Sequence, residues 1–234
     1  MRYVGFLIIL ALTVALAIAV STPFGAIPPL APLLDPNHGF WQNSISEDAL
    51  ADEELELTNL SGEVKVVYDE NLIPHIFANT QADLYRAQGY ITAKHRLWQM
   101  EFQTMAAAGR ISEIVGPLAI DLDRMTRRKG LAYGAEKGMK FIEETDPESL
   151  KLLEAYADGV NQYIDQLSSA RLPVEYKILN YRPEHWSAFK SILLLKYMTD
   201  MLVGDRDLEY SNLRKLLGDV MLDKLYPEYP IGVD

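Results

Sequence analysis

One apolar pattern constrains the fold of this chain more than any other feature. Between positions 84 and 105, apolar side chains recur at alternating steps of three and four residues, which is the period of an α-helix; they are Leu84, Ala87, Ile91, Trp98, Phe102 and Met105. Leu97 and Met100 widen the stripe, so the pattern predicts a helix that is buried on most of its sides. A chain of 234 residues is long enough to build a core around such a helix.

The predicted helix carries its own boundary signals. Thr80 and Asp83 form a pair that resembles a capping box, so the helix is expected to begin after Thr80. At the other end Gly109 permits a change of direction, and the Arg110 side chain is expected to bind carbonyl groups of the helix end. The stretch 96–116, RLWQMEFQTMAAAGRISEIVG, is therefore interpreted as a packed helix followed by a turn.

The segment before this helix predicts a β-hairpin. GEVKVVYDENLIPHIFAN contains two β-prone runs, 63–68 and 74–78, on either side of an Asp-Glu-Asn turn. Asn71 is the residue of that turn best able to adopt a left-handed conformation. The folded body is therefore expected to begin near Leu60.

The rest of the body has helical patterns. Asp146 can cap a helix that begins at Pro147, and a continuous apolar stripe follows: Leu150, Leu153, Ala157, Val160, Ile164 and Leu167. An apolar helix over 187–203 and a more polar helix over 209–217 come next. A spacing of four residues between glycines indicates a closely packed neighbour on one helical face: Gly130, Gly134 and Gly138. We therefore assign the α+β class, predominantly helical with one N-terminal β-hairpin.

The N-terminal segment predicts export. Residues 4–20 form an uncharged run of 17, longer than a usual signal-peptide core of about 7–15 and at the lower limit of a spanning helix, about 17–25. The Ala-Ile-Ala sequence at 17–19 would suit a signal peptidase, so residues 1–20 are either a signal peptide or a membrane anchor. A Pro-rich and then acidic linker over 21–59 leads to the body, 60–234. The body is expected in the periplasm, or anchored in the membrane and facing outside the cytoplasm.

Charge and cysteine content exclude several classes of function. The formal net charge is −11, and the basic run at 124–129 is short, whereas nucleic-acid binding needs clustered Lys and Arg, so we expect no nucleic-acid partner. There is no cysteine, so disulfides, thiol nucleophiles and Cys-ligated zinc are excluded. No zinc-ligand spacing joins the four histidines, for which we expect ordinary hydrogen bonds: His38, His75, His95 and His185.

Two short patterns suggest chemistry but are incomplete. Ser187 and Lys190 match the S-x-x-K motif of serine β-lactamases and penicillin-binding proteins, in which the Lys activates the Ser, but no K-T-G follows. Four carboxylates offer oxygen ligands to a hard cation such as calcium, without the spacing of an EF-hand: Asp200, Asp205, Asp207 and Glu209. A solvated turn and helix start is the alternative interpretation for most of these carboxylates.

The body contains a series of longer motifs in a fixed order. A strand ending in Asp is followed by I-P-H-I, D-L-Y-x-A-Q-G-Y, R-L-W-Q-M and A-G-R-x-S-E-x-x-G, and later by VEYKILNYRPEHW and Glu209-x-x-x-Leu213. Over roughly 64–234 the chain therefore resembles the penicillin amidase family of N-terminal-nucleophile hydrolases. Leu72 stands where that family often has Gly, so Asn71 is expected to supply the unusual conformation. His95 stands where an acidic residue is frequent.

The resemblance implies the small-chain part of the αββα N-terminal-nucleophile hydrolase fold. In that family a precursor cuts itself into two chains, and the Ser that begins the large chain attacks an amide carbonyl. That Ser would lie beyond Asp234, so we assign no catalytic residue here. The resemblance places one ligand of a structural calcium ion at Glu209 and implies no organic cofactor. The wall of the acyl pocket falls on small and aliphatic side chains, which suit an aliphatic acyl group: Thr199, Leu202 and Val203.

Besides a serine β-lactamase-like enzyme built on Ser187 and Lys190, which we do not expect, two functional hypotheses remain open at this point. The first is the small-chain portion of an exported amide hydrolase, which acts with a large catalytic chain from the same precursor on a small acyl-amide such as a penicillin or an acyl-homoserine lactone. The second is a membrane-anchored, non-catalytic binding or scaffold protein of acylase ancestry. The final YPEYPIGVD breaks off where family members continue, so we expect a processed or truncated chain.

Overall fold

The structure is a computed structural model, and it describes residues 2–25, 27–44, 57–202 and 207–226. The chain forms two compact units, Met1–Tyr197 and Met198–Asp234. The helices are α1 (Arg2–Ser21), α2 (Ala31–Leu34), α3 (Gln81–Ala108), α4 (Ser112–Val115), α5 (Ile120–Lys129), α6 (Leu131–Thr145), α7 (Pro147–Gln166), α8 (Val174–Ile178), α9 (Ala188–Leu202), α10 (Asp207–Leu217) and α11 (Asp219–Leu225). The strands are β1 (Lys65–Tyr68) and β2 (Pro74–Phe77), and 3-10 turns occupy Phe40–Ser44 and Gly116–Ala119. The described part of the chain is therefore mostly helical with one two-stranded sheet, as predicted.

The hairpin forms as predicted, but a different residue makes its turn. β1 and β2 pair antiparallel, and the Asp69 Oδ1 atom accepts hydrogen bonds from the backbone N–H groups of Asn71 and Ile73, each at 2.9 Å. The left-handed residue is Leu72, with φ of 60°, so the prediction for Asn71 is wrong. The two hydrogen bonds to Asp69 place the left-handed conformation at Leu72, although Asn tolerates that conformation better than Leu does.

α3 begins and ends where its sequence signals predicted. The Thr80 hydroxyl accepts a hydrogen bond from the Asp83 backbone N–H at 3.1 Å, and Gly109 closes the helix with a φ of 65°. The helix is kinked at Arg96, whose φ is −140°, beside the interruption of the apolar stripe at positions 94 and 95. Local capping chemistry therefore sets the length of the longest described helix.

The predicted role of Arg110 is wrong. Its guanidinium forms ion pairs with Glu113 and Glu184, both with N–O distances of 2.7 Å, and is not directed to the helix-end carbonyls. Arg127 acts there instead, because its Nε atom donates to the Gly109 carbonyl at 2.9 Å. Carboxylates are stronger partners for a guanidinium than neutral carbonyls, so Arg110 follows the acidic residues that the fold brings near it.

The core lies mainly between α3 and α7, which cross at a pair of glycines. A Cβ atom on Gly89 would overlap the Tyr156 carbonyl, and one on Gly159 would overlap the Arg86 carbonyl, so the two backbones touch. The core around this crossing combines residues of α3, α7, α8 and the segments near α8: Ala93, Leu97, Met100, Ala157, Val160, Ile164, Leu172, Tyr176 and Trp186.

The prediction of one close helical face from the later glycines holds at only one of them. At Gly138 an added Cβ would lie 3.3 Å from the Ile192 Cγ2 atom, whereas an added Cβ at Gly134 meets no atom within 4 Å. Gly130, with φ of 73°, instead ends α5 in a left-handed conformation. The three glycines therefore have different roles: Gly130 caps a helix, Gly134 faces open space, and Gly138 contacts a neighbouring helix.

The N-terminal helix α1 is exposed on all sides. Residues Tyr3–Ser21 have a mean hydropathy of 2.7 and no burial within the structure. By length and composition this helix could cross a membrane, and a signal sequence would meet the same description. Within the range predicted as a linker, α2 and the 3-10 turn Phe40–Ser44 both contact α8 of the body.

Candidate functional site

The residues predicted for the acyl pocket and for calcium fall in the C-terminal unit. Thr199 and Leu202 lie near the end of α9 and are exposed, Leu202 by 80%. Val203 lies outside the described residues. Glu209 is exposed in the first turn of α10. Exposed side chains of this kind are accessible to a ligand or to a second chain, and their part in an acyl pocket stays a prediction.

The acidic residues around Glu209 are spread over two helices. Asp200 is half-buried in α9, Asp207 is exposed in α10, and Asp205 lies outside the described residues. In the parts of the chain that the structure describes, no three carboxylate or imidazole groups meet as a metal site. Calcium takes about six to eight oxygen ligands. Glu209 belongs to no such group among the described residues, and its part in a calcium site stays a prediction.

The S-x-x-K pattern is a helix start. The Ser187 Oγ atom accepts a hydrogen bond from the Lys190 backbone N–H at 3.4 Å, just before α9. The Lys190 ammonium lies 3.2 Å from the Glu184 carboxylate and 4.0 Å from Glu101. Because the ammonium is directed to two carboxylates, the geometry does not support a serine nucleophile activated by lysine.

Each histidine has an ordinary polar neighbour, as expected from its spacing. The pairs are His38 with Asp35 at 3.2 Å, His75 with Asp69 at 3.3 Å, His95 with the Tyr68 hydroxyl at 2.8 Å, and His185 with Asp165 at 2.7 Å. Burial lowers the pKa of His95, and the charges of Lys94 and Arg96 lower it further, so this ring is neutral at pH 7.

A buried carboxylate that sequence reasoning missed organises the interior. Glu101 of α3 is 1% exposed and accepts hydrogen bonds from the Tyr176 hydroxyl at 2.5 Å, the Tyr181 hydroxyl at 3.3 Å and the Glu184 backbone N–H at 2.7 Å. Burial raises the pKa of Glu101, and the hydrogen bonds oppose that shift. The pKa values of both tyrosines are raised, first by burial and then by the Glu101 charge.

Glu184 extends this network toward the surface. The Arg110 guanidinium donates to both Glu184 carboxylate oxygens, at 3.2 and 2.7 Å, and Lys190 lies beside them. These cations, led by the hydrogen bonds from Arg110, lower the pKa of Glu184 from 4.5 to about 2. The hydrogen bonds that Arg110 donates to Glu113, and then those to Glu184, raise the pKa of Arg110.

The Glu101 network joins α3, α8 and the segment before α9. Its polar atoms are turned toward one another, an arrangement that stabilises the fold. A sequence signal for it did exist. Glu101 lies four residues after Leu97 and four before Met105, on the same buried helical face. A carboxylate inside an apolar stripe indicates buried hydrogen-bond partners elsewhere in the chain.

Among the described surfaces that expose large apolar side chains, two lie next to motifs of the body predicted above: the hairpin and the C-terminal unit. One is the outer face of the hairpin, where Lys65, Val67, His75 and Phe77 line a shallow depression of about 450 Å³ and Phe77 is 60% exposed. The other belongs to the C-terminal unit, where several side chains are about half to four-fifths exposed: Met198, Met201, Leu202, Leu216, Val220 and Met221. Apolar patches of this kind mark interaction surfaces in soluble domains.

Comparison with known proteins identifies relatives for most of the body. The family model for penicillin amidase matches residues 63–232. The chain is 37% identical over 150 residues to the penicillin acylase 2 proenzyme of Pseudomonas sp. (strain SE83), covering 64% of this chain and 19% of that protein. It is 30% identical over 159 residues to penicillin G acylase of Escherichia coli, covering 67% and 18%. It is 32% identical over 160 residues to the acyl-homoserine lactone acylase QuiP of Pseudomonas aeruginosa, covering 68% and 18%. The chain spans about a fifth of the length of these relatives.

A solved structure is similar in fold. The thermostable penicillin G acylase from Alcaligenes faecalis superposes with a TM-score of 0.61 at 22% identity, and the match covers 74% of this chain and 96% of that chain. At this identity the similarity shows the fold alone. The matched solved chain is itself small, because three quarters of this chain cover nearly all of it.

Proposed function

Because the chain belongs to the penicillin amidase family, we propose that it is the small-chain portion of an amide hydrolase. The proposed substrate is a linear amide between an acyl group and an amine such as a β-lactam nucleus or a homoserine lactone. The names of its relatives, penicillin acylases and an acyl-homoserine lactone acylase, support this substrate class. The observation that carries the proposal is the family match, which extends over residues 63–232, nearly the whole body.

The nucleophile is proposed to be the N-terminal Ser of a large chain cut from the same precursor. Its hydroxyl would attack the amide carbonyl while its own α-amine accepts the proton. Three observations support a second chain: the relatives are about five times longer than the matched segment, one of them is named a proenzyme, and the matched solved chain is small. The alternative nucleophile within this chain, Ser187, is engaged at the start of α9.

The proposed contribution of this chain is a binding surface and part of the acyl pocket. Thr199, Leu202 and Val203 are proposed as pocket-wall residues, and their modest size favours an aliphatic acyl group. The apolar outer face of the hairpin and the exposed apolar side chains of the C-terminal unit are proposed to pack against the large chain. The chain without its partner is expected to aggregate for the same reason.

Calcium is proposed as a structural ion with Glu209 as one ligand. A solvent-accessible carboxylate in a first helical turn is a suitable hard oxygen donor, and the remaining ligands would come from outside the described residues. The ion would contribute charge neutralisation and cross-linking of segments. The proposed location is outside the cytoplasm, supported by the apolar helix α1 at the N-terminus.

Purification from detergent-solubilised cell envelopes, followed by N-terminal sequencing and hydrolysis assays, tests the proposed function. We expect a co-purifying chain that begins with Ser, together with hydrolysis of N-acyl-homoserine lactones or penicillins. A Ser187→Ala variant is expected to retain this activity. An intact chain alone, inactive on every amide tested, would instead favour a non-catalytic scaffold of acylase ancestry.

A competition assay tests the acyl preference. Equal concentrations of phenylacetyl and medium-chain aliphatic amides of one amine are offered to the purified enzyme, and both acids are quantified. We expect the aliphatic acid to be released faster. Faster release of phenylacetate would contradict the role proposed for the three pocket-wall residues but leave the hydrolase assignment intact.

A further inference from the structure

Lys177 in α8 is a buried cation whose hydrogen-bond partners are all neutral. It is 7% exposed, and its Nζ atom donates to the Gly39 carbonyl at 3.0 Å, the Asn43 Oδ1 atom at 2.7 Å and the Ala170 carbonyl at 2.8 Å. These three acceptors match the three N–H donors of an ammonium group. Two of them lie more than 130 positions upstream of Lys177, so this side chain holds the segment around 39–43 against the body.

The segment held by Lys177 is itself folded. The Asn43 side-chain amide also donates to the Leu172 carbonyl at 2.9 Å, in the loop of the body between α7 and α8. Within the segment, Asp35 accepts hydrogen bonds from the backbone N–H groups of Asn37 and His38 at 2.7 and 3.3 Å. A Cβ on Gly39 would overlap the Leu33 and Asp35 carbonyls, so the chain is tightly wound there. A segment folded in this way fixes the position of its two ends relative to each other, which a flexible linker would not do.

The same segment is continuous with α1. Directly after the helix, the backbones of Phe24 and Ile27 exchange hydrogen bonds at 2.9 and 3.0 Å. The Leu30 N–H then donates to the Val20 carbonyl at 2.8 Å, which folds the chain back onto the end of α1. α2 contacts α1 on one side and α8 on the other. Among the described residues 22–25 and 27–44, hydrogen bonds and short helices therefore connect α1 to α8 of the body.

α1 runs through the site at which a signal peptidase would cut. The helix continues over positions 17–19 to Ser21, and the Thr22 N–H still donates to the Ile18 carbonyl at 3.1 Å. No Pro or Gly lies between Phe6 and Ser21 to interrupt it. Retention of α1 as an anchor is therefore part of the proposal made below.

The folded segment after α1 has exposed apolar side chains of the kind that enter a membrane interface. They are Phe24 at 82%, Ile27 at 55%, Leu30 at 43%, Leu34 at 47% and Trp41 at 53% exposure. Trp is enriched at the membrane–water interface next to spanning helices, and Phe and Leu of interfacial segments enter the boundary between headgroups and acyl chains. These side chains are therefore suited to contact with a lipid bilayer.

We propose that the described residues 22–25 and 27–44 form a collar that holds the folded body directly on the outer surface of a lipid bilayer spanned by α1, with Lys177 fastening the collar to the body. The proposal rests on the extracytoplasmic location given above, and not on amide hydrolysis. It adds a membrane-contact surface and a fixed distance between the body and the bilayer.

Labelling at a single cysteine tests contact of the collar with lipid, because this chain has no cysteine of its own. Trp41→Cys, and as a control Glu143→Cys on the exposed face of α6, are labelled with an environment-sensitive fluorophore in the full chain reconstituted into phosphatidylcholine–phosphatidylglycerol vesicles. We expect a blue-shifted emission, quenched by brominated lipid, at position 41 only. The wild-type chain should also resist carbonate extraction and keep its original N-terminus. Water-like emission at position 41, or release of a chain cleaved near 17–19, would overturn the proposal.

The role of Lys177 is tested by energy transfer from the body to the membrane. A donor at Ser168→Cys, in the loop whose Leu172 carbonyl accepts a hydrogen bond from Asn43 of the collar, is paired with an acceptor-labelled lipid. Lys177→Met is expected to lower the transfer efficiency, whereas Lys140→Met, which replaces a 70% exposed lysine, should leave it unchanged. Equal efficiencies in a folded Lys177→Met protein would overturn the fastening role. If that variant does not fold, the measurement at position 41 in the protein with Lys177 intact decides whether the collar contacts the bilayer.

None of these measurements depends on amide hydrolysis. A protein that hydrolyses amides but leaves the membrane on carbonate extraction would contradict the collar and keep the proposed function. A protein that stays bound to the bilayer without any hydrolytic partner chain would support the collar and contradict the proposed function.

Discussion

Leu72 is a residue under backbone strain. Its left-handed conformation, at φ of 60°, costs a side chain with a Cβ about 1–2 kcal/mol relative to the usual regions. The side chain is 51% exposed, so burial returns only part of that cost. The turn persists because the Asp69 carboxylate accepts hydrogen bonds from the N–H groups of Asn71 and Ile73, and the Asp69 backbone carbonyl accepts one from the Leu72 N–H.

Replacing Leu72 with Gly is expected to raise the free energy of unfolding by about 1 kcal/mol, because the strain disappears and little burial is lost. Thermal unfolding of the purified protein measures the change. Ile73→Gly is the matched control, since Ile73 is 53% exposed and has no positive φ, and it should lower stability by about 0.5–1 kcal/mol. Equal losses in both variants would show that Leu72 is unstrained.

The acid stability of the protein is expected to depend on Glu184. The pKa of Glu184 falls from 4.5 in the unfolded chain to about 2 in the folded one, chiefly through hydrogen bonds from Arg110. Its contribution to stability is therefore complete above pH 4.5 and is lost as the pH falls from 4.5 towards 2. Glu101 has the opposite sign, because burial raises its pKa, so any stability linked to its protonation is lost as the pH rises.

Glu184→Gln is expected to flatten the pH dependence of thermal unfolding between pH 4.5 and 2. At pH 7 the variant should be less stable than the wild type, and the difference should shrink towards pH 2. Melting temperatures measured across this range provide the test, with Glu143→Gln on the exposed face of α6 as control. A constant difference at all pH values would show that the Glu184 carboxylate is not perturbed.

At the scale of elements, the crossing of α3 and α7 depends on the absence of two side chains. Gly89 and Gly159 allow the helices to approach until backbone atoms touch, and the approach also places the Arg86 guanidinium 2.6 Å from the Asp158 carboxylate. The Tyr90 hydroxyl donates to the Gln166 side chain at 2.9 Å across the same interface. Close packing, and not intrinsic helix propensity, holds this pair together.

Gly159→Ala is expected to destabilise the protein by more than about 3 kcal/mol or to prevent folding, because its Cβ would overlap the Arg86 carbonyl and both partners are helical backbone. Gly134→Ala in α6 is the matched control. Its Cβ meets no atom within 4 Å, so better helix propensity should stabilise the protein by about 1 kcal/mol. Expression yield and thermal unfolding distinguish the two outcomes. A well-folded Gly159→Ala protein of wild-type stability would contradict the close crossing.

At the scale of the whole molecule, the features of the chain agree with the proposed large partner chain. It spans about a fifth of its relatives, and its hairpin and C-terminal unit expose apolar side chains. The hairpin has only two strands, and a two-stranded sheet is marginally stable in water by itself. These properties are expected of a chain that folds against a partner.

Calcium provides a test at this scale, because an ion bound only by the folded assembly raises its melting temperature. We expect a calcium chelator to lower the melting temperature of the purified assembly. Glu209→Gln should lower it without chelator and reduce the further effect of the chelator. Asp223→Asn, an exposed carboxylate in α11, is the control and should keep the full chelator effect. An unchanged response in Glu209→Gln would remove this residue from the proposed ion site.

The sequence alone determined the elements whose signals are local. The three- and four-residue period of α3, the Thr80 and Asp146 caps, and the alternation of the hairpin each depend on residues within a few positions of one another, as helix and turn hydrogen bonds do. The family was identified for the same reason, because its motifs are short runs in a fixed order.

Only the tertiary structure decided the partners of residues far apart in the chain. Glu101 meets Tyr176 across 75 positions, and Lys177 meets Gly39 across 138. The overlap of Gly89 with the Tyr156 backbone is equally invisible to local patterns. A buried polar group must find its partner wherever the fold brings one, and a close helix crossing depends on both surfaces together. For that reason the sequence predicted where the helices run, and the packing determined which of their side chains meet.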